Sequence, residues 1–137
     1  MGIEVLSHNT IDEILSQTYR HYLVGAFSDA SLKDSKIEVG VSNYCEFTYD
    51  KPHYHTRATE YQYVLSGRSM LYDLTNNMLH LLQEGDFFIV RPNTNYAEKH
   101  MEGTKVLFFK NPGINDKVLI DVPKEILAWM ENNEFDQ

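Results

Sequence analysis

The sequence is poor in the residues that mark secreted, fibrous or disordered chains. Its 137 residues include only one cysteine, four prolines and seven glycines. The single cysteine, Cys45, cannot form an intramolecular disulfide, and no cysteine pair is present for a thiolate zinc site. With 42% hydrophobic and 23% charged residues, the composition predicts one folded globular domain over residues 1–137.

Positive charge and long apolar runs are also scarce. Lys and Arg number 12 against 20 Asp and Glu, which gives a formal net charge of −8. A nucleic-acid-binding protein needs a basic face, and no run of basic residues is present, so we expect no nucleic-acid partner. Apolar runs such as residues 106–109 are too short to cross a bilayer, so we expect no membrane partner. The N-terminus lacks the features of a signal peptide, which predicts a cytoplasmic protein.

The hydrophobic pattern predicts a helix, then many strands, then a second helix. Thr10 and Glu13 have the spacing of a capping box, and apolar residues recur at helical intervals, which predicts a helix over residues 10–27. From residue 37 the period changes to two, and short β-prone runs separated by turn residues continue to residue 112. Many short strands predict an all-β barrel or sandwich. A short helix is predicted over residues 123–134.

One motif contains side chains suited to binding a metal ion. It has the pattern His53-x-His55-x4-Glu60-x6-Gly67. Residues i and i+2 of a strand point to the same side about 6.6 Å apart, so the two imidazoles can converge on one ion. A carboxylate from the adjoining strand completes a facial set that leaves coordination positions open. The compound pattern has roughly one chance in a thousand of arising at random in this composition.

This motif resembles the first motif of the cupin superfamily, and the segment from Gly85-Asp86 onward is similar to the second. The resemblance covers residues 37–112 and implies a double-stranded β-helix, or jelly-roll barrel, with the N-terminal and C-terminal helices outside it. It also implies that His53, His55 and Glu60 bind a divalent metal. In the family a histidine from the second motif is the fourth ligand, and many small members form homodimers.

The sequence departs from the family pattern at several positions. Phe47 stands where a glycine usually leads the first motif, and Arg91 and Asn93 replace the usual proline and glycine of the second. The most important departure is Tyr96, which stands where the fourth metal-binding histidine is expected. On a regular strand His100 would lie about 13 Å from Tyr96, so we do not expect His100 to replace that ligand.

Tyr96 has three interpretations. A nearby divalent cation favours the phenolate, so Tyr96 can complete the metal site through oxygen. Alternatively its hydroxyl exchanges a proton with a bound substrate, a role that Glu98 on the same strand face can also take. In the third interpretation Tyr96 is a barrel-wall aromatic whose hydroxyl finds a hydrogen bond. Arg57 is a candidate for holding an anionic substrate group or, alternatively, a solvated loop charge.

These residues predict a metal-dependent enzyme that acts on a small polar molecule, with an isomerase, lyase or dioxygenase reaction. The ion is expected to be Fe²⁺, Mn²⁺, Ni²⁺ or Zn²⁺, because imidazole and carboxylate ligands do not single one out. The alternative is a binding module that holds a sugar or other small ligand without turnover. A cupin sensing domain of a transcription factor is disfavoured by the acidic charge.

Overall fold

The computed structural model describes residues 2–136 as eleven strands between two helices. In chain order the elements are α1 (His8–Gln17), β1 (Arg20–Gly25), β2 (Leu32–Lys33), β3 (Glu38–Tyr44), β4 (Thr48–His55), β5 (Thr59–Ser66), β6 (Arg68–Asp73), β7 (Met78–Gln83), β8 (Phe87–Val90), β9 (Tyr96–His100), β10 (Thr104–Asn111), β11 (Lys117–Leu119) and α2 (Lys124–Glu131). No helix in this part of the chain is both long enough and apolar enough to span a membrane.

The strands form two sheets that enclose one interior. The first has six strands in the order β2-β1-β3-β10-β5-β8, and the second has five in the order β11-β4-β9-β6-β7. All pairings are antiparallel except the short one between β1 and β2. The predicted all-β jelly-roll barrel with a helix near each end is confirmed.

The first helix is shorter than predicted. Its N-cap is Ser7, whose Oγ accepts a hydrogen bond from the backbone N–H of Thr10, and the helix ends at Gln17. The predicted helix over residues 10–27 is therefore wrong beyond Gln17, because residues 20–25 form β1 instead. Tyr22 and Val24 in this segment favour a strand, and pairing with β3 overrides its helical spacing. The second helix likewise ends at Glu131, three residues earlier than predicted.

A bulge in β4 determines which of its side chains face the interior. Asp50 pairs with Glu98 on β9, but the next pair is His53 with Tyr96, so β4 has one residue more than β9 between the two pairs. The extra residue reverses the alternation of the strand. Asp50 and His53 consequently both face the interior although an odd number of positions separates them. Pro52 lies in the bulge, where its missing N–H interrupts the ladder least.

Candidate functional site

The two sheets enclose a cavity of about 520 Å³, within the range typical of small-molecule sites. Four predicted metal ligands and one predicted catalytic residue line it, namely His53, His55, Glu60, Tyr96 and Glu98. Both sheets contribute, because β5 carries Glu60 and the other four residues lie on β4 and β9. The barrel therefore brings together side chains that are up to 45 positions apart in the sequence.

The Tyr96 hydroxyl lies between His53 and Glu60. It is 2.9 Å from His53 Nε2 and 2.9 Å from Glu60 Oε2. The tyrosine is 1% exposed, and its ring contributes to the apolar core of the barrel. We call these three hydrogen-bonded side chains the His53–Tyr96–Glu60 relay, because they form one continuous chain of polar groups.

Proton counting shows what this relay can do. His53 Nδ1 is 2.6 Å from the Lys51 carbonyl oxygen, which only accepts, so Nδ1 carries a proton. When Tyr96 donates to the Glu60 carboxylate, its contact with His53 requires a second imidazole proton, on Nε2. When Tyr96 donates to His53 Nε2 instead, its contact with Glu60 requires a protonated carboxyl. Both arrangements hold the same number of protons, so Tyr96 can pass a proton between His53 and Glu60.

The pKa values favour a neutral imidazole beside a protonated phenol. Burial lowers the pKa of His53 to about 4, although the Lys51 carbonyl opposes this shift, so His53 is neutral at pH 7. Burial raises the pKa of Tyr96 well above its ordinary value, and the charges of Glu60 and Glu98 raise it further. The Tyr96 hydroxyl therefore keeps its proton, and His53 is an available base.

A carboxylate outside both motifs orients His55. Asp116 Oδ1 accepts a hydrogen bond from His55 Nδ1 at 2.8 Å, and its Oδ2 accepts the backbone N–H groups of Arg57 and Ala58, each at 2.7 Å. Burial alone would raise the pKa of Asp116, but these donors outweigh it and lower the pKa to about 2. The bond to Asp116 leaves His55 Nε2 directed at Glu60 Oε2, 3.7 Å away. No motif pointed to Asp116, which lies 61 positions from His55.

Glu98 belongs to a second group of polar side chains, of which Glu98 and Asp50 line the cavity. His100 Nε2 is 3.6 Å from Asp50 Oδ2 and 3.7 Å from Glu98 Oε1. Burial raises the pKa of Glu98 well above its ordinary value, and the charges of Asp50 and Glu60 add to this effect. We call Asp50, Glu98 and His100 the acid–histidine cluster. Sequence reasoning missed Asp50 because only the bulge in β4 turns it to the same side as His53.

The predicted metal ligands are adjacent but do not converge on one point. Their donors are chemically suited to a divalent metal, since each imidazole has its Nδ1 fixed by an acceptor. However, the Tyr96 hydroxyl stands between His53 and Glu60. Among residues 2–136, the acid–histidine cluster is the one group of three His, Cys, Asp or Glu residues whose ligand atoms lie within 4.8 Å of one another. Hydrogen bonds through the Tyr96 hydroxyl join His53 to Glu60, and the metal site at the motif stays a prediction.

The structure does not bring Arg57 into this group. Its side chain is exposed and does not line the cavity. Its backbone N–H acts on the site only indirectly, by donating a hydrogen bond to Asp116. The cations on the wall are Arg20, Lys110 and Lys117. Arg20 and Lys117 come from β1 and β11, outside the segment predicted to form the barrel.

Comparison with known proteins agrees with this architecture. Residues 46–109 match the family of cupin domains. No curated protein matches the chain in sequence.

Among solved structures, a variant of PAC13 from Streptomyces with uridine is 19% identical, with 69% of this chain and 75% of that chain covered and a TM-score of 0.56. KdgF from a Halomonas species is 20% identical, covering 61% of this chain and 74% of that one, with a TM-score of 0.52. The DMSP lyase DddQ from Ruegeria pomeroyi is 16% identical, covering 73% and 50%, with a TM-score of 0.58. At these identities the likeness is one of fold. Together with the family match over residues 46–109 and the two-sheet barrel, it shows a cupin-like jelly-roll fold.

Proposed function

We propose that this protein is an enzyme that transfers protons on a small polar molecule held in the cavity, with the His53–Tyr96–Glu60 relay as its acid and base. The observation that carries the proposal is the position of the Tyr96 hydroxyl, 2.9 Å from the His53 imidazole on one side and 2.9 Å from the Glu60 carboxyl group on the other. A buried phenol that only packed against the barrel wall would need one partner, whereas this one connects a base to an acid.

The chemistry that suits the relay is elimination or isomerisation. As the Tyr96 hydroxyl turns to donate to the leaving oxygen, His53 Nε2 becomes free and takes a proton from a carbon of the substrate. The electron pair of that C–H bond forms a new double bond as the leaving group departs. Glu60, through the Tyr96 hydroxyl, supplies a proton to the leaving oxygen. This step leaves His53 with two imidazole protons and Glu60 ionised. Tyr96 then passes one proton from His53 to Glu60, which restores the starting state. General acid–base catalysis of this kind contributes about 10² to 10⁴ in rate.

The charges on the cavity wall indicate what the substrate carries. Arg20 is held in place by Ser42, to which its Nε donates at 3.0 Å, and its guanidinium lies over the Phe108 ring. Lys110 is 3.5 Å from Glu38, and Lys117 lines the same wall. The same wall carries five acidic residues, one of which pairs with Lys110, namely Asp29, Glu38, Asp50, Glu60 and Glu98. Among the cations, Arg20 beside the Phe108 ring suits a substrate with one carboxylate or phosphate group next to a flat or apolar part.

Two of the structural neighbours have names that agree with this reaction class. PAC13 is described as a nucleoside dehydratase, and DddQ as a DMSP lyase. Both names denote elimination reactions, which require the removal of a proton and the departure of a leaving group. This likeness supports the reaction class but does not identify the substrate.

The test is proton exchange with solvent. Purified protein in D₂O is incubated with nucleosides including uridine, with DMSP, and with sugar acids, and ¹H NMR follows both saturation transfer to bound ligand and loss of substrate C–H signals. We expect the wild type to exchange or convert at least one ligand that it binds. Glu60→Gln should bind that ligand and lose the exchange, whereas the exposed control Glu84→Gln should retain it.

Two results would contradict the proposal. Binding by the wild type without exchange or conversion of any bound ligand would make the barrel a binding module. Full exchange by Glu60→Gln would remove Glu60 from the reaction.

A further inference from the structure

The acid–histidine cluster contains buried polar atoms without partners. His100 is 1% exposed and Glu98 is 2% exposed. His100 Nε2 and Glu98 Oε1 have no hydrogen-bond partner among the described residues, although both are buried. Such atoms are costly to bury, and in native proteins they usually contact a bound group. The two atoms are 3.7 Å apart and face each other across the cluster.

Contacts on the side of the ring away from Asp50 and Glu98 fix the orientation of His100. Its Nδ1 is 2.8 Å from Ser69 Oγ, and its ring stacks on Tyr44 with centroids 3.9 Å apart. When Nδ1 donates its proton to Ser69, the lone pair of Nε2 points at Asp50 and Glu98. Metal-binding histidines commonly have their second nitrogen held in this way.

We propose that Asp50, Glu98 and His100 bind one divalent transition-metal ion. Ligand atoms that surround one ion at about 2.1 Å lie about 3.0 to 3.5 Å apart in octahedral or tetrahedral geometry. The separations from His100 Nε2 are 3.6 Å and 3.7 Å, and all three ligand atoms lie within 4.8 Å of one another. Shifts of a few tenths of an ångström would therefore bring each carboxylate oxygen to a coordinating separation from His100 Nε2.

The donor set and the position limit the identity of the ion. One imidazole nitrogen with two carboxylate oxygens suits Mn²⁺, Fe²⁺ or Zn²⁺ better than Ca²⁺ or Mg²⁺, which prefer oxygen alone. Asp50 and Glu98 lie on the cavity wall, so an ion can reach them from the cavity and keep positions open to it. Tyr96 lies on the same strand face as Glu98, which places the ion beside the His53–Tyr96–Glu60 relay.

The first experiment measures metal binding alone, so its outcome does not depend on turnover. The dialysed wild-type chain is titrated with Zn²⁺ and with Mn²⁺ in competition with a chelator. We expect one equivalent of metal, with the Kd raised by about 100-fold or more in Glu98→Gln and in His100→Gln. The control His53→Gln should keep its Kd within about threefold. Circular dichroism melting confirms that each variant is folded.

The second experiment needs no variant. X-ray absorption on the Zn²⁺-loaded wild type should fit one imidazole among its oxygen ligands. Two imidazoles would place the ion at His53 and His55 and overturn the proposal, as would a loss of binding confined to His53→Gln. Absence of uptake by the wild type would also overturn it, and the deuterium-exchange test of the relay would stand unaffected.

Discussion

Replacing Asp116 by asparagine should reverse the tautomer of His55 while leaving the shape of the site intact. Asp116 accepts three hydrogen bonds, two of them from the backbone N–H groups of Arg57 and Ala58. Asparagine has one oxygen, which can stay with the two backbone groups. Its NH₂ group then faces His55 Nδ1 and donates to it, so the imidazole proton must move to Nε2.

The cost in stability follows from the same three bonds. A hydrogen bond to a charged group contributes about 1.5 to 3 kcal/mol to stability. Asp116→Asn removes the negative charge from all three hydrogen bonds and removes the acceptor of the bond to His55. Because His55 is 6% exposed, water cannot readily replace the acceptor lost there. We therefore expect Asp116→Asn to lower the free energy of unfolding by about 2 to 3 kcal/mol.

Two assays check this prediction against the exposed control Asp121→Asn. Long-range ¹H–¹⁵N NMR distinguishes the two imidazole tautomers, and urea unfolding measures stability. The wild type and the control should show His55 protonated on Nδ1, and Asp116→Asn should show it protonated on Nε2. The reasoning is refuted if His55 keeps its Nδ1 proton in Asp116→Asn and the unfolding free energy changes by less than about 0.5 kcal/mol.

Two further predictions concern the barrel around the site. Gly67 and Gly85 both have positive φ, but a Cβ on Gly67 would clash with Thr104 whereas one on Gly85 would meet nothing within 4 Å. In urea unfolding, Gly85→Ala should therefore lower the unfolding free energy by about 1 kcal/mol and Gly67→Ala by at least about 2 kcal/mol more. Equal losses in the two variants would contradict this prediction. Burial lowers the pKa of His21, whose Nε2 contacts Ser31 Oγ. The unfolded chain therefore binds a proton at His21 more readily than the folded protein does. The wild type should lose stability relative to His21→Gln as the pH falls below 6.5. A difference between these two proteins that stays constant from pH 8 to pH 5 would exclude this role for His21.

Much of the fold follows from local patterns. Period-two alternation and turn residues predict the strands from Glu38 onward, and Asn77 adopts the positive φ expected of its turn. Asn93, which replaces a glycine of the family pattern, also has positive φ, a conformation that asparagine tolerates. The strand β1 was not predictable because its residues also fit a helix, and only the hydrogen bonds offered by β3 decide between the two.

The site was predictable only in part, for a similar reason. The motif identified His53, His55 and Glu60, and the family spacing identified Tyr96, all of which line the cavity. The hydrogen-bond chain through Tyr96 depends on distances across the barrel that no local pattern encodes. The acid–histidine cluster depends on the bulge in β4, which displaces the strand by one residue. The metal at the motif and the homodimer remain predictions.

The kinetics of Tyr96→Phe test the central claim most directly. Phenylalanine keeps the ring in the core and removes the hydroxyl that joins His53 to Glu60. With a ligand that the wild type exchanges or converts, we predict a Kd within about threefold of wild type and a rate lower by about 10² to 10⁴, while the exposed control Tyr49→Phe keeps both. A rate within about twofold of wild type, or a loss seen only in the Kd, would contradict the assignment of Tyr96 as the group that transfers the proton.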